Sequence, residues 1–204
     1  MSTRQQILSL TTAVAFSSSA IVAAPELAPC LVLCFEGDLG DASGRGNTAA
    51  GASARFVEGH QGRGLAPGPE AVVVPDGGDV RLAPGLRIDC WVRIDAAHPA
   101  GQAILFKDDE YILRVDPASE GGRFSFFVDL GGMEPRVSSK TPPVAGAWHH
   151  VVAAWDGQAI SLEVDGQATR KARAGTPEPS AEPLRIGPFD GVIDGLRLTN
   201  PSSH

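Results

Sequence analysis

The chain has 204 residues and a formal net charge of −7, with 43% apolar and 20% charged side chains. That composition predicts one domain with a packed core and excludes wholesale disorder. The acidic balance excludes nucleic acid as a partner, because that affinity rests on Lys and Arg facing phosphates. The 24 glycines and 16 prolines, none of them before residue 25, break the chain too often for a helical bundle or coiled coil. They predict short elements joined by many turns.

Residues 1–24 begin with a thin positive region at Arg4, continue through an apolar stretch from Ile7 to Phe16, and end in small residues from Ser17 to Ala24. This is the layout of an export signal. It is too short and too diluted by Ser and Thr to match the ~20 apolar residues of a spanning helix. The sequence therefore predicts a signal peptide at 1–24, a short linker at 25–30, a single domain at 31–199 and a tail at 200–204. The product is expected to be secreted, periplasmic or cell-surface, with no stable membrane insertion once the signal is removed. Of the three cysteines, Cys30 and Cys34 would stand roughly 13 Å apart on an extended strand, so they pair only if the chain turns between them. Cys90 alternates with apolar residues and reads as core filler.

The remainder reads as strands. Leu31–Phe35 is a short apolar run, followed by a turn-rich loop to Asn47. Ala71–Pro75 is a strand ended by proline. Leu86–Ile94 alternates strictly: Leu86, Ile88, Cys90, Val92 and Ile94 face one way, and Arg87, Asp89, Trp91 and Arg93 the other. Strands follow at Ala103–Phe106, Tyr111–Val115 and Phe124–Val128. Trp148–Trp155 and Ile160–Val164 form a hairpin across Asp156-Gly157, and Asp165-Gly166 ends the second strand. Ala172–Pro183 reads as an exposed loop, and Leu184–Gly187 and Val192–Leu198 close the domain. Ten or more short strands predict a two-sheet sandwich.

Five segments in order carry a family resemblance: Asp41-Ala-Ser-Gly-Arg-Gly-Asn47 after the opening strand; the glycine turn Gly59-His-Gln-Gly-Arg-Gly-Leu65; Val72 to Ile94; the Trp148-His-His-Val hairpin through Gly166; and the closing Leu184–Leu198. Together they resemble the laminin-G-like, concanavalin A-like jelly rolls of bacterial exported proteins. The resemblance implies an all-β, concanavalin A-like jelly-roll sandwich of two antiparallel sheets, each of about six or seven strands. It does not fix an activity, because the same fold serves lectins, adhesion modules, hydrolases and lyases.

A retaining hydrolase needs two carboxylates about 5–5.5 Å apart. The nearest match to the Glu-x-Asp-x-x-Glu strand of laminarinase-type enzymes is Glu163-Val-Asp165-Gly-Gln-Ala168, which lacks the last carboxylate, so no catalytic residue is assigned. Asp108-Asp-Glu110 reads as a solvated turn. His149 and His150, adjacent on a strand, point to opposite faces. The resemblance implies a calcium site where the first and last strands meet, with Glu36 and Asp194 as ligands and a backbone carbonyl near Gly62; such an ion would be structural. Trp91 and Arg93 are the candidate ligand-binding residues. Trp91 either stacks on a sugar or lies under a loop, and Arg87, Arg93 and Arg114 read as an outward stripe paired with acids. The expected function is non-catalytic binding of carbohydrate or an extracellular, cell-surface protein. The alternatives are a glycan-active hydrolase or lyase on the same fold, and a purely protein-binding adhesion or structural module.

Overall fold

The strict alternation from Leu86 to Ile94 becomes a nine-residue strand at the centre of a computed structural model that describes residues 28–200. The predicted signal at 1–24, the first half of the linker and the tail beyond Asn200 lie outside the described residues. Fourteen strands are described: β1 (Leu31–Leu33), β2 (Arg55–Glu58), β3 (Arg63–Ala66), β4 (Val72–Val74), β5 (Leu86–Ile94), β6 (Gln102–Lys107), β7 (Tyr111–Val115), β8 (Phe124–Val128), β9 (Arg136–Ser138), β10 (Trp148–Trp155), β11 (Ala159–Val164), β12 (Gln167–Ala172), β13 (Leu184–Ile186) and β14 (Gly191–Thr199). They form two antiparallel sheets. One has eight strands in the order β12-β11-β10-β5-β14-β3-β2, with β1 also on β14; the other has six in the order β4-β13-β6-β7-β8-β9. The predicted sandwich is observed, with the strands divided eight and six.

Alternate side chains from the two facing sheets fill the core. Leu86, Ile88, Cys90 and Val92 of β5 meet Leu113, Phe124, Phe126 and Val128 from the other sheet in one cluster. Cys90 is completely buried, and burial pushes its thiol well above the usual range, so it packs rather than reacts. Trp155 points inward and donates its indole N–H to the Arg173 carbonyl, whereas Trp148, seven positions away, is half-buried on the outward face.

Four strands go beyond those predicted. β2 and β3 flank the glycine turn, and β9 is a three-residue edge. β12 follows Asp165-Gly166, both of which have positive φ, as the mirror-image hairpin turns require. β12 has no buried position, so it shows no alternation in hydropathy and leaves no strand signal in the sequence. The Asp41 motif proves to be a loop staple. The Asp41 carboxylate accepts the N–H groups of Val32, Ser43 and Asn47 and the Ser43 hydroxyl. Burial opposes its ionisation, but these donors together hold its pKa below the ordinary carboxylate value.

The Asp108–Glu110 turn corrects its reading as wholly solvated. Asp108 and Asp109 are exposed, but Glu110 is 2% exposed and Lys107 1%. Lys107 Nζ lies 2.9 Å from Asp76 and 3.2 Å from Glu110, and it also donates to the carbonyls of Ser180 and Glu182. Glu110 accepts the backbone N–H groups of Leu82 and Ser180. The predicted exposed loop from Ala172 to Pro183 is therefore pinned at Ser180 and Glu182 to a buried cation.

Candidate functional site

β14, nine residues long like β5, carries an irregularity that shapes its outward face. On β14, Asp194 pairs with Trp91 and Arg197 with Asp89, so three steps on β14 match two on β5. The extra residue is a β-bulge containing Gly195 at φ 59°. In a regular strand, residues three apart face opposite ways. The bulge instead turns both Asp194 and Arg197 outward while Ile193, Leu196 and Leu198 stay in the core. Beyond β14 lie two strands end to end: β3 pairs with Ile193 and β1 with Leu196 to Leu198. Above this junction is a groove of about 580 Å³ lined by Glu36, His60, Gln61, Trp91, Asp194 and Arg197, with Arg87 and Asp89 on its floor.

Trp91 is the wall of that groove. Its ring is stacked against His60 at 3.6 Å between centroids and 7° between planes, and His150 lies 5.0 Å away, tilted by 31°. The covering loop expected over Trp91 is the glycine turn, which delivers His60. The ring face against His60 is therefore taken, and the groove meets Trp91 beside that stack. His150 Nε2 lies 2.8 Å from Asp89 Oδ1, and Arg87 binds the other oxygen at 2.9 Å. Because a carboxylate only accepts, His150 carries its proton on Nε2. Arg197 forms no ion pair among the described residues and is exposed.

Glu36 and Asp194 meet the same glycine turn. Asp194, 5% exposed, accepts the Gln61 N–H at 2.9 Å; Glu36, exposed, accepts the Arg63 N–H at 3.2 Å. The turn is closed by Gly59 N–H to the Gly62 carbonyl at 3.1 Å, with Gly62 at φ 63°. A Cβ at Gly62 would collide with the Glu36 carboxylate, and one at Gly59 would stand 2.8 Å from Asp194 Oδ2, so both glycines are what lets the carboxylates approach the backbone. Each carboxylate keeps one oxygen uncommitted to the turn, and both residues line the groove. Among the described residues no group of three His, Cys, Asp or Glu side chains converges to hold a metal. A cation here would draw two carboxylate ligands, and its remaining oxygens would come from backbone carbonyls and water.

The other candidates disperse. Arg93 is bound to Asp95 at 2.7 Å and lies 5.3 Å from the Trp148 ring, in a separate depression with Arg55 and Phe189. It does not share a groove with Trp91. Arg114 belongs to the other sheet, paired with Asp116 and Glu120, so the three-arginine stripe does not form. His149 and His150 do face opposite ways. His149 accepts the Val144 N–H on Nε2 and therefore donates from Nδ1 to Asp165 at 2.7 Å, the neutral tautomer. With both nitrogens engaged, His149 is no general base, and Asp165, which also accepts the His150 N–H, is a turn staple. His60, Gln61, Asp89 and Arg197 are groove residues that sequence reasoning missed as a set. The signal that existed was His60 and Gln61 inside the glycine turn. Arg197 was hidden by the bulge, which changes the strand's phase.

The family model of the laminin G type described as the concanavalin A-like lectin/glucanases superfamily matches residues 70–202. No curated protein sequence matches the chain. Among solved structures, the fold is similar to domain 4 of AbnA, a GH43 extracellular arabinanase from Geobacillus stearothermophilus, solved in complex with arabinotriose. The TM-score is 0.66 at 17% identity, covering 86% of this chain and 93% of that one. It is also similar to the botulinum neurotoxin serotype D/C VPI 5993 binding domain, with a TM-score of 0.67 at 12% identity, covering 84% of this chain and 48% of that one. A third likeness is to domains LG4-5 of the mouse laminin α1 chain, with a TM-score of 0.54 at 20% identity, covering 71% and 40%. The chain thus spans about half of the toxin domain and less of the laminin pair.

Proposed function

The chain belongs to the concanavalin A-like lectin/glucanases superfamily, and from that premise we propose that it is an extracellular, non-catalytic module that binds carbohydrate in the groove beside Trp91. The observation that carries this reading is the groove itself. Its volume of about 580 Å³ falls in the ~300–1,000 Å³ range usual for small-ligand sites. Its walls combine one aromatic edge with donors and acceptors of both signs, which is what a polyhydroxylated ring requires. Arg197 and Gln61 would donate to ligand oxygens, and Asp194 and Glu36 would accept from hydroxyls. The arabinotriose complex of the arabinanase domain supports the choice of carbohydrate over an extracellular protein. The Glu163–Ala168 segment lacks its last carboxylate and Asp165 is held by His149, which favours binding over hydrolysis.

The same reading includes a structural Ca²⁺ held by Glu36 and Asp194. Its role would be to offset the repulsion of two carboxylates placed on one turn, and to tie β1 to β14.

The test is a glycan array followed by titration of the best ligand, with millimolar calcium and with EDTA. Arg197→Ala is expected to weaken binding about tenfold, the scale of one lost charge-assisted hydrogen bond. A blank array in both conditions, or a ligand whose affinity ignores Arg197→Ala and Trp91→Ala, would overturn the groove reading. Calcium is read separately by melting: ligation of the native state alone raises Tm. Absence of a calcium-induced rise, or a rise that survives Glu36→Ala, removes the ion from the account and leaves the groove standing.

A further inference from the structure

The outward face of the six-stranded sheet holds a second surface, unrelated to the groove. Strand register places Arg185 opposite Phe106, Phe106 opposite Ile112, Ile112 opposite Phe127 and Phe127 opposite Arg136. Direct cross-strand partners share a face, so these side chains form one row across five strands. A solvated outer face is normally polar. Here its centre is three large apolar residues, all half-buried. The ends are capped by cations already neutralised. Arg185 lies 5.9 Å from the Phe106 ring and is bound to Asp108. Arg114 and Arg136 lie 4.5 and 5.5 Å from the Phe127 ring and are bound to Glu120.

Next to this strip is a depression of about 250 Å³ shared by Phe106, Ile112, Phe127, Asp109, Asp129 and Glu134. None of these three carboxylates forms an ion pair among the described residues, while Lys107, the one cation lining the depression, is buried and bound inward. The carboxylates do not converge as a metal-binding group, so their complement is not a single ion. It is a positive group carried on an apolar stem. A sugar ring is disfavoured as occupant, because the aromatic rings already carry arginines. A lysine or arginine side chain fits both halves: its methylenes lie along Ile112 and the ring edges while its charge meets the acids.

We propose that this face docks a Lys- or Arg-rich segment of a partner protein, with Phe106, Ile112 and Phe127 as the apolar floor and Asp109, Asp129 and Glu134 as the charged margin. The site is independent of the carbohydrate groove.

Fluorescence anisotropy of a labelled deca-lysine peptide, titrated with the full chain at low salt, tests it. Saturable binding is expected, weakened by added salt. The double substitution Asp109→Asn and Glu134→Gln should weaken it about fivefold, the sum of two exposed charge contacts. Asn also tolerates the φ of 62° at position 109, so the turn is kept, and an unchanged melting temperature verifies this. Ile112→Thr, which keeps a β-branched strand residue, should weaken binding as well. Glu178→Gln, a charge change on the exposed loop after β12, should leave it unaltered. The proposal is overturned if the peptide does not bind, if the double substitution or Ile112→Thr has no effect, or if Glu178→Gln weakens binding as much as the double substitution.

Discussion

Lys107 shows how a single buried side chain holds separate parts of the chain together. Its ammonium meets Asp76 ahead of β5, Glu110 in the β6–β7 turn and two carbonyls of the loop before β13. Removing it leaves Glu110 buried without its cation. Breaking such a pair on one side costs about 3–5 kcal/mol, more than the intact pair contributes against a hydrophobic replacement. Lys107→Met is therefore expected to lower stability by that amount in urea unfolding. Adding Glu110→Gln should recover part of the loss, because the orphaned charge goes with it. A Lys107→Met variant as stable as the parent would mean that the network is solvated in solution. The same residue marks a limit of sequence reading. Lys107 follows Phe106 at what looks like a strand end, and its one local partner, Glu110, looks like a surface pair; the groups that bury the ammonium lie 31 and 75 positions away at Asp76 and Glu182.

At the scale of the element, the bulge in β14 decides what the outer face can do. Gly195 is the residue in excess, so deleting it makes Asp194 and Leu196 neighbours that face opposite ways. Asp194 and Arg197 then stay outward, and Ile193, Leu196 and Leu198 stay in the core. The deletion is expected to keep one cooperative thermal transition, as followed by near-ultraviolet circular dichroism; a variant that loses its sharp transition would show that the bulge itself is required. β5, with one wet and one dry face, was legible because alternation in hydropathy is a direct record of burial, and β7 and β8 were legible as short apolar runs between turns. β12 and β9 were not, since an edge strand is fixed by its neighbour rather than by its own hydropathy. The site was legible in part. Glu36 and Asp194 each accept a backbone N–H of one turn, and their role as calcium ligands stays a proposal. Trp91 and Arg93 share a strand face yet line different depressions, because the loops above the sheet, not the strand, divide the surface.

For the whole molecule, acid should act first through the carboxylates that hold loops to the sandwich. The Arg81 guanidinium, with Lys107 beside it, lowers the Asp76 carboxyl to about 2 from an ordinary value of 3.8. A folded-state pKa below the unfolded one stabilises at pH values above about 4, and that share is lost as pH falls toward 2. Stability to urea measured from pH 5 to pH 2 should fall more steeply in the parent than in Asp76→Asn, which has no such proton to take up. Parallel curves would remove Asp76 from the acid response. The topology adds a constraint in time. The last strand, β14, lies in the interior of its sheet, between β5 on one side and β1 and β3 on the other. A ribosome releases β1 and β3 some 130 to 160 residues before the strand they must pair with. Until residue 199 is free, the eight-stranded sheet has a gap through its middle, and the N-terminal strands have nowhere to go. Closure of the eight-stranded sheet is therefore expected to be one late step, since its central pairings join segments more than a hundred residues apart.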